Sequence, residues 1–182
     1  MSSKGLRLRI IILQIGLILV LGFVSGFALW AGGYTQNSVT TQLKAQEITF
    51  PAYNSASIVA LPKSDAVAMN QYAGELMTTG NQAEVWADDY MKVHLQEIGE
   101  TYSQASTKAR ANPGNATDAS TLTTVFEGTM LRSSLLNAYG WWTVGSYAFY
   151  AGIGFAVAAF IVLLALCFEI TQWRRPKVVQ TN

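Results

Sequence analysis

Two long apolar runs bracket a chain whose middle alternates between polar stretches and helical stripes. From Ile10 to Trp30 no charged residue interrupts IIILQIGLILVLGFVSGFALW. A helix of this length is about 31 Å long, the thickness of a bilayer's hydrocarbon core. The second run, WTVGSYAFYAGIGFAVAAFIVLLALCF, opens at Trp141 or Trp142 and closes at Phe168, again without a charge. It exceeds what one crossing requires, which leaves room for tilt or an interfacial first turn. The pattern predicts an all-α membrane protein, with two transmembrane helices and a small extracytoplasmic helical domain between them. The segments are a flank over 1–9, a first span over 10–31, a polar linker and extended segment over 32–62, a helical domain over 63–140, a second span over 141–169 and a tail over 170–182.

Within the middle, Gly32 to Thr49 is rich in Thr, Gln, Asn and Ser, the composition of a mobile connector. Between Pro51 and Pro62 the run Ser57-Ile58-Val59-Ala60-Leu61 reads as a strand or an extended stretch. Ser64-Asp65 is a helix start, with about three turns over Ala66 to Leu76 before Thr78-Thr79-Gly80-Asn81 ends them. The strongest stripe follows. From Gln82 to Ala109, Trp86, Tyr90, His94, Ile98 and Tyr102 recur every four residues, while Asp88, Asp89, Lys92, Gln96 and Glu100 fall on the other side. Ala111-Asn112-Pro113-Gly114-Asn115 breaks the chain. Beyond it Leu122, Phe126 and Met130 form one row and Leu131, Leu135 and Tyr139 another. Nothing there stops the helix from running into the second span.

Charge orients the spans. Lys4, Arg7 and Arg9 precede the first, and Arg174, Arg175 and Lys177 follow the second, so half of the chain's 12 Lys and Arg lie in two short flanks. The positive-inside rule makes both termini cytoplasmic and the location the plasma membrane. Gly32 to Gly140 carries ten acids against six bases, a net of −4 that suits the outer face. Glu169 reads as an interfacial charge beside Arg174. Trp30, Trp141, Trp142 and Trp173 fall at the span ends, where an aromatic belt places them. The first run is longer than a secretory signal core and no small-x-small site follows it, so it reads as an uncleaved anchor. Cys167 lies within the second span, which leaves no disulfide framework.

Composition agrees, at 51% hydrophobic and only 13% charged, too apolar for a soluble domain of 182 residues. Candidate chemistry is sparse. There is no phosphate loop, no dinucleotide fingerprint, no C-x-x-C and no basic patch for nucleic acid. We therefore expect no catalytic residue, cofactor or metal. His94 invites a ligand or pH-sensing role beside Glu97, but catalytic zinc needs three protein ligands and a facial iron site two histidines, and this is the chain's one histidine. Placed between Tyr90 and Ile98, it reads as a buried, hydrogen-bonded core residue. The stripe of Trp86, Tyr90, His94, Ile98 and Tyr102 is either core packing against the following helix or a partner face. Arg132 snorkels or pairs with an acid such as Glu127, or serves an anion. Asn115-Ala116-Thr117 matches a glycosylation sequon that matters only in a eukaryotic secretory setting. Gly152 and Gly154 permit close helix packing, with Gly16, Gly22 or Gly26 as counterparts.

Ala87-Asp88-Asp89-Tyr90 with His94-Leu95, then Gly99-Glu100-Thr101-Tyr102-Ser103, then Leu131-Arg132-Ser133-Ser134-Leu135-Leu136-Asn137-Ala138-Tyr139-Gly140, resembles a family of actinobacterial two-span membrane proteins. Many of its members carry the label "aromatic ring-opening dioxygenase LigA". The resemblance runs from the first span to the second and implies the same topology. The labelled activity does not transfer, because an extradiol site uses two histidines and a carboxylate. In size and topology alone the chain is also similar to accessory subunits of the actinobacterial respiratory supercomplex.

The expectation is a non-enzymatic integral membrane protein whose partners are the lipid bilayer and the subunits of a larger membrane complex. The alternative is an extracytoplasmic binding or sensing module, which an apolar pocket between the outer helices, lined by Trp86, Tyr90 or Tyr102, would favour. An enzyme would need His94 exposed in a cleft beside a nucleophile.

Overall fold

A computed structural model describes residues 3–174. The described chain is helical, with a lone antiparallel bridge between Thr49 and Leu76 in place of any strand. The helices are α1 (Ser3–Lys44), α2 (Ala56–Val59), α3 (Lys63–Asn70), α4 (Gly80–Val85), a π-helical turn over Trp86–Met91, α5 (Lys92–Ile98), α6 (Tyr102–Ala111) and α7 (Ala116–Arg174). They form two compact units. The terminal unit comprises the chain up to Tyr34 and from Gly145 onward, and the central unit is Thr35–Val144.

In the terminal unit α1 and α7 are each long and apolar enough to cross a membrane. Only 11% of each most apolar window is buried within the protein. Leu13, Leu19, Phe23, Phe160 and Phe168 are among the side chains left on the outside. The core helix of a water-soluble protein would hide such residues. Where the two helices meet, side chains are small or missing. A Cβ on Gly152 would lie 2.7 Å from Leu29 Cγ, and one on Gly32 would lie 2.6 Å from the Gly145 carbonyl oxygen. Beside them the Ser25 hydroxyl donates to the Gly152 carbonyl at 2.8 Å. The counterparts of Gly152 are thus Ser25 and Leu29. Gly16, Gly22, Gly26 and Gly154 have open space around them instead. Glu169 lies 3.8 Å from Arg7 Nε of α1.

The central unit has a true core. Phe50, Ile58, Met69 and Met77 are its most completely buried large side chains, joined by Val39, Leu43, Leu61, Ala83, Ala87 and Leu135. Half of these ten come from the 32–62 stretch, whose sequence reads as linker and extended segment. The 32–49 segment is not mobile linker: α1 continues to Lys44. Its polar residues are weak helix formers but not breakers. Val39 and Leu43, four apart, bury one face of the extension and tertiary packing overrides propensity. The stretch around Ile58 is a single helical turn and not a strand, with Ile58 fully buried. α3 ends at Asn70, earlier than its pattern predicts. The chain then turns through Gly74, whose φ of 75° favours glycine, and brings Met77 back to hydrogen-bond Ile48 at 2.8 Å.

The long helix predicted over Gln82–Ala109 is also corrected. It begins at Gly80 behind a capping box: Gln82 N donates to Thr79 Oγ1 at 3.3 Å, and the Gln82 Oε1 accepts from Thr79 N at 3.0 Å. It ends at Ile98, where Gly99 adopts φ 75°, and Thr101 caps a separate α6 with a second box onto Gln104. The break predicted around Pro113 is present. Asn115 Oδ1 accepts from the backbone N–H groups of Thr117 and Asp118 at 2.9 and 3.3 Å, which makes it the cap that starts α7. α7 then runs without interruption to Arg174.

Candidate functional site

The four-residue stripe only partly becomes core. Trp86 and Tyr90 lie on the π-helical turn and the row follows α-helical geometry only from Lys92, so its four-residue spacing does not keep one face against the core. Trp86 meets Phe50 edge-on at 5.1 Å and Tyr90 at 5.0 Å, and Tyr90 in turn meets His94 at 4.4 Å. At His94 the row has reached solvent. The residue is exposed, with Nδ1 engaged by the Tyr90 carbonyl at 2.8 Å, so the expected core histidine is a surface one. No nucleophile is among its hydrogen-bond partners. Ile98 is half-buried. Tyr102, across the Gly99 break, is exposed and contacts Phe126 of α7 at 5.8 Å instead of continuing the row.

Arg132 is held more tightly than its position on α7 suggests. Its Nη2 donates to Asp88 Oδ1 at 2.5 Å and its Nε to the Ala87 carbonyl at 3.1 Å. Its partner is therefore Asp88 and not Glu127. The π-helical turn makes this possible. The Lys92 N–H reaches back five residues to the Ala87 carbonyl, widening the turn at the point where Arg132 enters. Asp89, next to it, is pushed above the usual carboxylate range, first by burial and then by the charges of Asp65, Asp88 and Glu84. Further up α7, a Cβ on Gly128 would stand 2.7 Å from Leu95 Cδ2, so α5 rests directly on the α7 backbone. Val125, the residue of this stretch that is buried, lies outside both rows read from the sequence. Phe126, Met130 and Leu131 of those rows are exposed, and Leu135 is buried.

Beside that contact, residues of α5, of the turn over Gly99 to Thr101, of the start of α6 and of α7 line an open pocket of ≈ 490 Å³, within the range of small-molecule sites. Leu95, Val125 and Tyr102 supply apolar surface, and Lys92, Gln96, Glu100, Thr129 and Arg132 supply polar groups. Of the residues singled out from the sequence, Tyr102 and Arg132 line it. Glu100 and Thr129 had no signal beyond an ordinary polar helix face. Glu100 Oε1 pairs with Lys108 Nζ at 2.5 Å, and its Oε2 is buried without a hydrogen-bond partner. That pairing and the Glu100 charge raise the Lys108 ammonium above its usual value.

Trp86 is half-buried in the central core, and Trp142 packs against the same core, its Cβ lying where a side chain on Gly80 would have to go. Trp142 thus has a packing role besides any interfacial one. Trp30, Trp141 and Trp173 are exposed. Lys4 and Arg174 fall within α1 and α7, Arg7 and Arg9 are exposed on α1, and Arg175 and Lys177 lie outside the described residues. Among the described residues no group of three His, Cys, Asp or Glu is placed to hold a metal ion. No family model, curated protein or solved structure matches the chain.

Proposed function

We propose that this chain is a non-enzymatic integral membrane protein of the plasma membrane, crossing twice with both termini in the cytoplasm, and that residues 35–144 form an extracytoplasmic binding module. The pocket between α5, α6 and α7 carries the binding assignment, because it joins an apolar platform to several polar groups in a unit with its own core. The membrane assignment rests on two helices whose apolar windows stay 89% unburied by protein, the complement of 11%, and on the basic flanks. His94 is exposed, as an enzymatic role would need, but its Nδ1 is engaged by the Tyr90 carbonyl and no nucleophile is bonded to it, so its setting does not recommend hydrolysis. Membership of the two-span family that the motifs resemble is part of the same proposal.

A thermal-shift screen of the purified full chain against envelope components tests the binding role. A hit abolished by Thr129→Trp, which fills the pocket, supports it; stabilisation unchanged in that variant sinks it. A membrane-impermeant maleimide should label Ser103→Cys, but not Ser2→Cys, in intact cells, and the reverse pattern overturns the orientation.

A second reading, an accessory subunit of a larger membrane complex such as a respiratory assembly, draws on the open surface at Gly22 and Gly26, four apart on α1. Purification in mild detergent should then recover companion chains in fixed ratio, and recovery of a monomer alone counts against it.

A further inference from the structure

The charges around the pocket narrow its ligand, on the premise that the central unit is a binding module. Arg132 is offset by Asp88 and Glu100 by Lys108, each at 2.5 Å. Lys92 also lines the pocket and is exposed, and it has no ion-pair partner among the described residues. Asp89, three residues back, feels the ammonium only as the least of five influences on its carboxyl. The wall therefore carries one cation in excess. A pocket for a cation would leave a carboxylate unmatched instead.

The hydrogen-bonding groups of the wall lean the same way. The Arg132 guanidinium keeps N–H groups beyond the two it commits to Ala87 and Asp88. Gln96 and Thr129 add an amide and a hydroxyl that no described residue engages. Glu100, the one carboxylate that lines the pocket, has one oxygen held by Lys108 and the other buried out of contact, so it does not occupy Lys92. Leu95, Val125 and Tyr102 give an apolar floor on which a hydrocarbon body can lie. A single excess charge suits a monoanion, and a planar guanidinium matches the two oxygens of a carboxylate. We infer that the pocket takes a monocarboxylate with a compact apolar body, the carboxylate drawn to Lys92 and the uncommitted Arg132 N–H groups and the hydrocarbon resting on Leu95, Val125 and Tyr102.

The test uses the full chain in phosphatidylcholine nanodiscs, titrated under saturation-transfer NMR. The probes share one chain length and differ in head group: hexanoate, hexanamide and hexylamine, with acetate as a carboxylate that lacks the apolar body. Hexanoate should bind best, more weakly at high salt, and acetate hardly at all. Lys92→Gln should weaken hexanoate about fivefold, Lys92→Arg should keep it, and Thr129→Trp should abolish it, with unchanged melting profiles separating lost binding from lost folding. Lys63→Gln removes an exposed cation that does not line the pocket and should change nothing. Hexanoate binding that is indifferent to Lys92→Gln, or weakened as much by Lys63→Gln, overturns the inference. Should hexanamide or hexylamine bind in a Thr129→Trp-sensitive way while hexanoate does not, the pocket remains a binding site and the carboxylate assignment falls. If no probe binds the folded protein, that assignment falls too, while the binding module itself stands or falls with the screen of envelope components.

Discussion

In the terminal unit the two long helices meet closely at Gly32 and Gly152, whereas the central unit has close approaches of its own at Gly80 and Gly128 but is built around Phe50, Ile58, Met69 and Met77. The difference fits the surroundings proposed for each unit. A helix pair in lipid gains nothing from hiding Leu from hydrocarbon, so it associates by close backbone approach and an occasional hydrogen bond such as that of Ser25 to the Gly152 carbonyl. A helical unit in water is driven by apolar burial and must also satisfy the polar ends of its short helices. That is why capping boxes, a π-helical turn and the Arg132–Asp88 pair all fall between Thr35 and Val144.

The sharpest way to separate the units is Phe50→Ala. It removes a ring that packs on both Tyr72 and Trp86 and should cost the central unit about 3–5 kcal/mol. Near-UV circular dichroism and limited proteolysis should show 35–144 loosening while the span fragments stay protected. Simultaneous loss of both would show that the units do not fold separately. Next in size is Gly152→Leu, which drives a side chain into Leu29 and should weaken association of the two long helices by about 1–3 kcal/mol. Gly154→Leu, with open space around it, should be near neutral when both variants are unfolded by titration with a denaturing detergent, and equal effects would refute the packing described.

Arg132→Met should destabilise the central unit by about 1–2 kcal/mol, since it strands Asp88 beside the Ala87 carbonyl. Arg132→Lys should recover only part of this, because an ammonium cannot serve both acceptors as a planar guanidinium does. Full recovery in urea melts would reduce the contact to simple charge. The smallest effect is expected at Asp89. Its carboxyl titrates higher in the folded state than in the unfolded chain, so the ionised form destabilises the fold. The penalty is fully present above the folded value and gone below the unfolded one. Asp89→Asn should therefore raise the melting temperature at pH 7, by at most about 0.5 kcal/mol in stability, and have no effect near pH 3. An equal gain at both pH values would show that charge is not the cause.

The pocket was only faintly legible. Tyr102 and Arg132 stood out as an aromatic in a stripe and a cation among apolar residues, but their meeting depends on the αL turn at Gly99, which carries α6 off the line of α5. Glu100 reads only as part of a polar face, and Thr129 carries no pattern until α7 is laid beside that turn. His94 shows the reverse failure: its place in a four-residue row promised burial, and the drift of that row around the helix delivered exposure.

Two features were determined by sequence alone: the pair of apolar helices, because their length and freedom from charge are local properties of the chain, and the break at Asn112–Asn115, because proline and a capping asparagine act locally. Tertiary structure decided the rest. It made a helix of the Thr- and Gln-rich stretch after Gly33 by burying Val39 and Leu43, turned the Ile58 segment into a single helical turn, and chose Asp88 for Arg132. In each case the local preferences differ by little, and contacts with residues distant in sequence outweigh them.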